Sequence, residues 1–318
     1  MHIILVNPRG FCAGVNRAVQ TLEEVVTRFF DKKIFVYHEI VHNTYVVNRF
    51  MALGVQFIFS LNAVPEYSVV MFSAHGVSPQ IREEAVKKSL KVIDATCPLV
   101  SRVHQAVKSY VEKGYHVIYI GHAGHDEAVG TVGEAPQQIT VISSEQEARN
   151  LTHQRTQNNL PYKDLRLACL MQTTLSITQT EQIVNILREQ FPNIEISDKN
   201  TCYATRNRQE AVQILAKQAD TALVIGSVNS SNSRRLCEIA EQQGIVSRLI
   251  DGADEINPQW FSGKETVLIT AGASAPEHVV QSCLARLHAF FDVSFEEVVV
   301  REENVVFSLP SEIIQYCE

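Results

Sequence analysis

Three times along the chain, a turn delivers a single cysteine to the expected start of a helix. The first case is Asn7-Pro8-Arg9-Gly10-Phe11-Cys12-Ala13-Gly14-Val15, which follows the apolar run Ile3 to Val6. Pro8, Gly10 and Gly14 force a tight turn, because proline fixes one backbone dihedral and glycine admits those that other residues avoid. The second is Val92-Ile93-Asp94-Ala95-Thr96-Cys97-Pro98, and the third is Asp198-Lys199-Asn200-Thr201-Cys202-Tyr203-Ala204-Thr205. Helices are expected from near Asn16, after Pro98 and from about Asn207. A thiolate at a helix N-terminus is stabilised by the helix dipole and by free N–H groups, which lowers its pKa. Three such thiolates can converge on one metal centre. The chain holds seven cysteines, an odd number, and none forms a C-x-x-C pair. That excludes zinc-ribbon spacing and argues against a disulfide framework. Cys169, Cys237, Cys283 and Cys317 sit in strand, helix or tail patterns and read as core or incidental. Three thiolates without a fourth in the same setting suggest an iron–sulfur cluster with one iron left open, since closed clusters take four cysteines.

Between these turns the chain alternates short β-branched runs with amphipathic helical stretches. Strands are expected at Ile34–Tyr37, Val69–Phe72, His116–Ile120, Leu167–Met171, Thr221–Ile225 and Thr266–Ile269. Each is followed by a loop rich in His, Ser, Thr, Asn or Gly, and then by helical spacing. Alternating β and α elements imply parallel sheets flanked by helices, with ligands beyond the carboxyl ends of the strands. The fold class is therefore α/β: three pseudo-repeated modules, 1–97, 98–202 and 203–318, with mainly parallel sheets and their functional ends toward one centre. Residues 150–164 are polar and read as a surface loop or extension.

Of the 318 residues, 45% are hydrophobic and 20% charged, an ordinary globular composition with material for a large core. A net charge of −7 and the lack of a long basic run make nucleic acid or an anionic membrane an unsuited partner. No apolar stretch is long enough to span a bilayer. Met1 to Asn7 lacks a basic region and an adequate apolar core, so no signal peptide is expected and the chain is placed in the cytoplasm.

His38-Glu39-Ile40-Val41-His42 matches the H-E-x-x-H zinc signature, which requires a helix so that both histidines share a face. Here it follows a strand and precedes Asn43, a good helix cap, so the helix is expected after the motif. A zinc hydrolase with Glu39 as base stays open as an alternative at this point, as does a non-catalytic binder of a phosphorylated metabolite. His75 and His125 occupy strand-end positions like that of His42. Ser230-Ser231-Asn232 and Ser274 stand where helices begin, and their hydroxyls, amide and backbone N–H groups suit a phosphate. No G-x-G-x-x-G or P-loop occurs, so no nucleotide cofactor is indicated.

Taken together, Asn7 to Val15, Ser73-Ala74-His75-Gly76-Val77, Asp94-Ala95-Thr96-Cys97-Pro98-Leu99-Val100, Gly121 to Glu127, Gln172-Thr173-Thr174-Leu175-Ser176, Cys202-Tyr203-Ala204-Thr205, Asn229-Ser230-Ser231-Asn232-Ser233 and Thr270-Ala271-Gly272-Ala273-Ser274-Ala275-Pro276 resemble the LytB family. These are the 4-hydroxy-3-methylbut-2-enyl diphosphate reductases, the last enzymes of the methylerythritol phosphate route to isoprenoids. The resemblance runs from the first strand to Arg301-Glu302-Glu303-Asn304. It implies a trefoil of α/β modules around a central [4Fe–4S] cluster, one per chain, held by Cys12, Cys97 and Cys202. It implies reductive dehydroxylation of the allylic diphosphate to isopentenyl and dimethylallyl diphosphates, with electrons from a carrier protein, flavodoxin or ferredoxin. By matched position, His42, His75, Ser230, Ser231, Asn232 and Ser274 hold the diphosphate. His125, Glu127 and Thr173 surround the hydroxyl end, and Glu127 delivers protons.

Overall fold

The structure is a computed structural model that describes residues 1–197 and 202–315. Asp198 to Thr201, the turn expected before Cys202, and Cys317 lie outside the described residues. The chain divides into two units. One comprises Met1–Asn16, Val41–Leu53 and Tyr203–Phe307, the other Arg17–Ile40, Gly54–Cys202 and Ser308–Glu318.

The first unit is built on a five-stranded parallel sheet. Its strands are β1 (His2–Asn7), β10 (Thr221–Ile225), β11 (Val246–Ile250), β12 (Thr266–Ala271) and β13 (Ser294–Val299), in the order β11-β10-β12-β1-β13. Side chains alternate between the faces of a strand, and both faces here are covered. Ile3, Leu5, Leu223, Ile225, Val267 and Ile269 pack against α10 (Glu277–Phe290). Ile4, Val6, Ala222, Val224 and Leu268 pack against α8 (Tyr203–Leu215) and α9 (Ser231–Gln242). Continuous apolar runs such as Ile3 to Val6 exist because neither face meets water. Truncating one of these fully buried side chains, such as Ile269→Ala, would cost about 2–5 kcal/mol.

The second unit holds two four-stranded parallel sheets. One orders β3 (Gln56–Ile58), β2 (Ile34–Tyr37), β4 (Val69–Phe72) and β5 (Lys91–Asp94). The other orders β7 (Ile139–Ile142), β6 (His116–Ile120), β8 (Leu167–Met171) and β9 (Glu195–Ile196). In the latter, Val117, Tyr119 and Leu170 meet Val103 and Val107 of α4 (Pro98–Glu112) and Ala128 of α5 (Asp126–Val132). Ile118, Ile120, Cys169 and Met171 meet Ile183, Val184 and Leu187 of α7 (Ile177–Gln190) on the other face.

The expected α/β architecture of three parallel sheets is what the chain adopts. The strand content of the segments 98–202 and 203–318 follows the sheets, but that of 1–97 does not. β1 pairs with β12 and β13, so the first strand joins the last third. An apolar run on both faces tells that a strand is buried and not which sheet buries it. The polar stretch 150–164 carries two single 3-10 turns and is pinned by the buried Leu151 and Tyr162.

Candidate functional site

In the first unit, the Cys12 turn is fixed by backbone and by arginine. Gly10 N–H donates to the Ala271 carbonyl and Cys12 N–H to that of Ala273. Gly10 has φ +62°, and a Cβ there would lie 3.1 Å from the Ala275 carbonyl oxygen, so glycine is required. Arg208 of α8 is fully buried and donates to the Gly10 carbonyl from Nη2 at 2.8 Å. Its charge is met by Glu303 Oε1 at 3.0 Å. Arg9 pairs with Glu277 and Glu297 at 2.7 and 2.6 Å. Cys12 then directly precedes α1 (Ala13–Arg28), and its carbonyl accepts from Asn16 N–H. The sequence reading missed Arg208; the usable signal was an arginine on the apolar face of a predicted helix.

The same unit carries a set of neutral donors. Ser230 caps α9, its Oγ accepting from Ser233 N–H, and Ser231 and Asn232 form the first turn of that helix. Asn232 is buried, yet neither its amide nitrogen nor its amide oxygen has a partner among the described residues. An unmet buried amide costs about 1–3 kcal/mol, so its persistence calls for a reason. Gly226 and Gly272 let the backbone close on Ser233: a Cβ would stand 2.2 and 2.0 Å from its Oγ. Ser274 Oγ donates to the His42 carbonyl at 2.8 Å, and Thr44 N–H donates to Ser227 Oγ at 2.9 Å. His42 and the 226–233 and 270–275 loops are thereby joined in one unit. Asn43 caps α2 (Thr44–Ala52) by accepting from Val46 N–H, so H-E-x-x-H precedes the helix it would need to lie on. The zinc-hydrolase geometry does not form.

In the second unit, Cys97 takes the N-cap position of α4 with Pro98 following, and its N–H donates to the Ala74 carbonyl at 3.0 Å. That bond ties the cysteine to the His75 loop. Asp94 organises the turn: its Oδ1 accepts from Thr96 N–H at 2.9 Å and its Oδ2 from Arg82 at 2.6 Å. Burial pushes the Asp94 carboxyl up, but Arg82 and the Thr96 hydrogen bonds outweigh it and hold it below its ordinary value. Cys202 directly precedes α8, whose start at Tyr203 is earlier than the sequence reading placed it.

His125 caps α5, its Nδ1 accepting from Glu127 N–H at 3.2 Å. The His75 and His125 rings lie edge to face with centroids 6.0 Å apart. Glu127, only 2% exposed, turns toward the loop after β8. Its two carboxylate oxygens accept from Thr173 N–H and Thr173 Oγ1–H, each at 2.8 Å. The neighbouring Asp126 pairs with His38 Nδ1 at 2.6 Å, and its carboxylate also lies within 4.8 Å of a His75 ring nitrogen. His38 holds φ +60°, an uncommon conformation for a non-glycine residue.

The cysteines fall into two kinds. Cys12, Cys97 and Cys202 are partly exposed and stand immediately before helices. Burial pushes the thiols of Cys169 and Cys283 up to about 12 and that of Cys237 up to about 11. Only the first kind suits thiolate ligation.

The fold is that of an α/β protein; its first unit carries a buried Ser-Ser-Asn helix start and its second a buried carboxylate, and three partly exposed cysteines stand before helices. The model of the family described as LytB protein matches residues 3–288. A 4-hydroxy-3-methylbut-2-enyl diphosphate reductase of Rhodopirellula baltica is 48% identical, with 98% of this chain and 95% of the relative covered. The enzyme of that name from Pseudomonas fluorescens is 45% identical, with 98% of each covered. The solved reductase of Plasmodium falciparum superposes with a TM-score of 0.91 at 34% identity, covering 99% of this chain and 97% of that one. A second solved structure, described as the terminal enzyme of the non-mevalonate pathway, gives a TM-score of 0.64 at 32% identity, covering 91% and 99%. The chain belongs to the LytB family.

Proposed function

We propose that this chain carries out the reductive dehydroxylation of 4-hydroxy-3-methylbut-2-enyl diphosphate. Two electrons and two protons enter, the allylic C–O bond breaks, and water leaves together with isopentenyl or dimethylallyl diphosphate. The observation that carries the reading is the contrast among the cysteines: three partly exposed thiols at helix starts, and three described others that burial keeps protonated. These three residues fit an iron–sulfur cluster, and Cys12, Cys97 and Cys202 would hold it. Bound there, the cluster supplies the electrons and a Lewis-acidic iron for the hydroxyl oxygen.

The chain's own residues do the rest. Asn232, with its unmet amide, and the Ser230, Ser231 and Ser274 hydroxyls receive the diphosphate at the start of α9, aided by the helix dipole. His42 and His75 add donors whose bonds strengthen when the ring is protonated. Glu127 delivers one proton to the leaving hydroxyl and, after taking up another from solvent, a second to the allylic carbon. The carboxylate left behind finds the Thr173 N–H and O–H already in place, so no reorganisation accompanies the transfer. Thr173 and His125 complete the hydroxyl end of the site. Electrons come from a carrier protein such as flavodoxin or ferredoxin, and the enzyme works in the cytoplasm. Among the described residues no helix is long and apolar enough to cross a membrane.

The test is anaerobic purification with iron and sulfide analysis, followed by turnover with a strong chemical reductant. About four irons and four sulfides per chain, with conversion of the allylic diphosphate, is the expected result. A colourless protein holding zinc, or one that binds phosphate without turning over, would overturn it.

A further inference from the structure

His104 lies on α4, buried, and outside every residue given a role above. Its ring is held from one side: Nδ1 and Glu134 Oε1 are 2.7 Å apart. Lys108 Nζ approaches the other carboxylate oxygen at 2.9 Å, an ion-pair contact. Burial pushes the Glu134 carboxyl up, but His104 and Lys108 outweigh it and hold it down. At the opposite edge of the ring, Nε2 is buried without a partner among the described residues. Two glycines lie beside that edge. A Cβ on Gly76 would stand 3.4 Å from both Cε1 and Nε2, and a Cβ on Gly130 would stand 3.3 Å from Cε1.

Gly76 follows His75, and Gly130 lies in α5 with Glu127. The two backbones also meet directly. A Cβ on Gly130 would lie 3.4 Å from the Gly76 carbonyl, and one on Gly133 only 2.3 Å from Ser78 Cβ. The His75 loop and α5 therefore pack main chain to main chain, and the His104 ring touches both at the seam. A phenyl ring would fill this space without an unmet polar atom. Imidazole leaves one, which is unfavourable, and gains in return a ring locked in orientation by Glu134.

We propose that His104, anchored by Glu134, is a positioning residue whose ring sets the spacing between the His75 loop and α5, and so aligns His75, His125 and Glu127. The catalytic part of this rests on the reading above. The spacing part does not. Side chains placed about 1 Å off line lose up to about 10²-fold in rate, which is the leverage such a wedge has.

The test compares His104→Ala, His104→Phe and Glu134→Gln in the iron–sulfur-loaded protein. Amide hydrogen exchange is measured by mass spectrometry, alongside kcat and KM with a chemical reductant. His104→Ala should speed exchange across 73–78 and 126–132 while α7, in the same unit, keeps its protection. Its kcat should fall about 10–100-fold with KM little changed and the cluster spectrum intact. His104→Phe keeps the wedge but not the anchor, so both effects should be smaller, and Glu134→Gln should resemble it. Unchanged exchange in the two segments, or a rise shared equally by α7, overturns the proposal. So does a defect confined to KM. If His104→Ala does not fold, the same readouts on His104→Phe and Glu134→Gln decide. Normal turnover in Glu127→Gln would sink the catalytic reading while leaving the exchange result to judge the spacing.

Discussion

The two units hold their buried polar groups in opposite ways. In the second, Glu127 is saturated: both carboxylate oxygens already accept from Thr173, and its neighbour Asp126 is engaged by His38. In the first, Asn232 is buried with neither amide atom partnered among the described residues. A saturated group is held at one geometry and one polarity before anything binds, which suits proton transfer. An unsatisfied one makes its hydrogen bonds only when a ligand arrives, which suits recognition. On the proposed function, the group that does chemistry would be pre-organised and binding energy held back for the substrate.

The largest expected effect on the proposed function comes from the cysteines. Cys12→Ser, Cys97→Ser and Cys202→Ser should each lose the cluster and turnover, while Cys169→Ser, Cys237→Ser and Cys283→Ser keep both. Iron content and the visible spectrum check this, and a Cys202→Ser protein with a full cluster would refute the ligand set. Next comes Glu127→Gln, which keeps shape and hydrogen bonding but has no proton to give. Turnover should fall about 10²–10⁴-fold with substrate still bound. Asp126→Asn, measured beside it, should fall far less, since Asp126 faces His38; a collapse in Asp126→Asn alone would move the proton donor by one residue.

Asn232→Ala sharpens the other half. Loss of a bond to a charged diphosphate should raise KM about 10–100-fold with kcat little changed. The ligand-free protein should melt no lower than the parent, because the deleted amide had no partner to lose. A clear drop in Tm would show that Asn232 is structural. The smallest effect is a pH dependence away from both sites. Burial lowers His116 from 6.5 to about 4. The unfolded chain binds that proton near pH 6.5 and the folded one does not until about 4. The stability this contributes is therefore complete above about pH 6.5 and is lost as pH falls toward 4. Tm measured across that window should decline, and His116→Gln should flatten the slope.

Much of this architecture could be read from the chain. β-branched runs followed by polar loops located the central strands, and proline or glycine around each cysteine located the turns. The Asn43 cap correctly placed the helix beyond H-E-x-x-H. What could not be read depends on partners distant in sequence. Nothing in Ile3 to Val6 says that β12 and β13 flank it. Arg208 sits on the apolar face of its helix, but that Gly10 and Glu303 receive it is visible only in the fold. Helix starts at Ala13 and Tyr203 were missed by a few residues because the first turn of a helix shows no apolar periodicity. Gly76, Gly130 and Gly133 read as ordinary loop and helix glycines, and only packing reveals them as a contact between main chains. The grouping of Glu127 with Thr173 came from resemblance to a family and not from spacing.

The position of β1 also sets an order of assembly. Its sheet partners among the described residues, β12 and β13, come more than 250 residues later in the sequence. Gly10 and Cys12 take their shape from the carbonyls of Ala271 and Ala273. A nascent chain therefore exposes Cys12 in an unformed segment throughout synthesis, while the sheets of residues 34–196 can close behind it. A thiol early in the sequence is thus set only by backbone late in it, so on the proposed function the Cys12 ligand would become available only after β12 has been made.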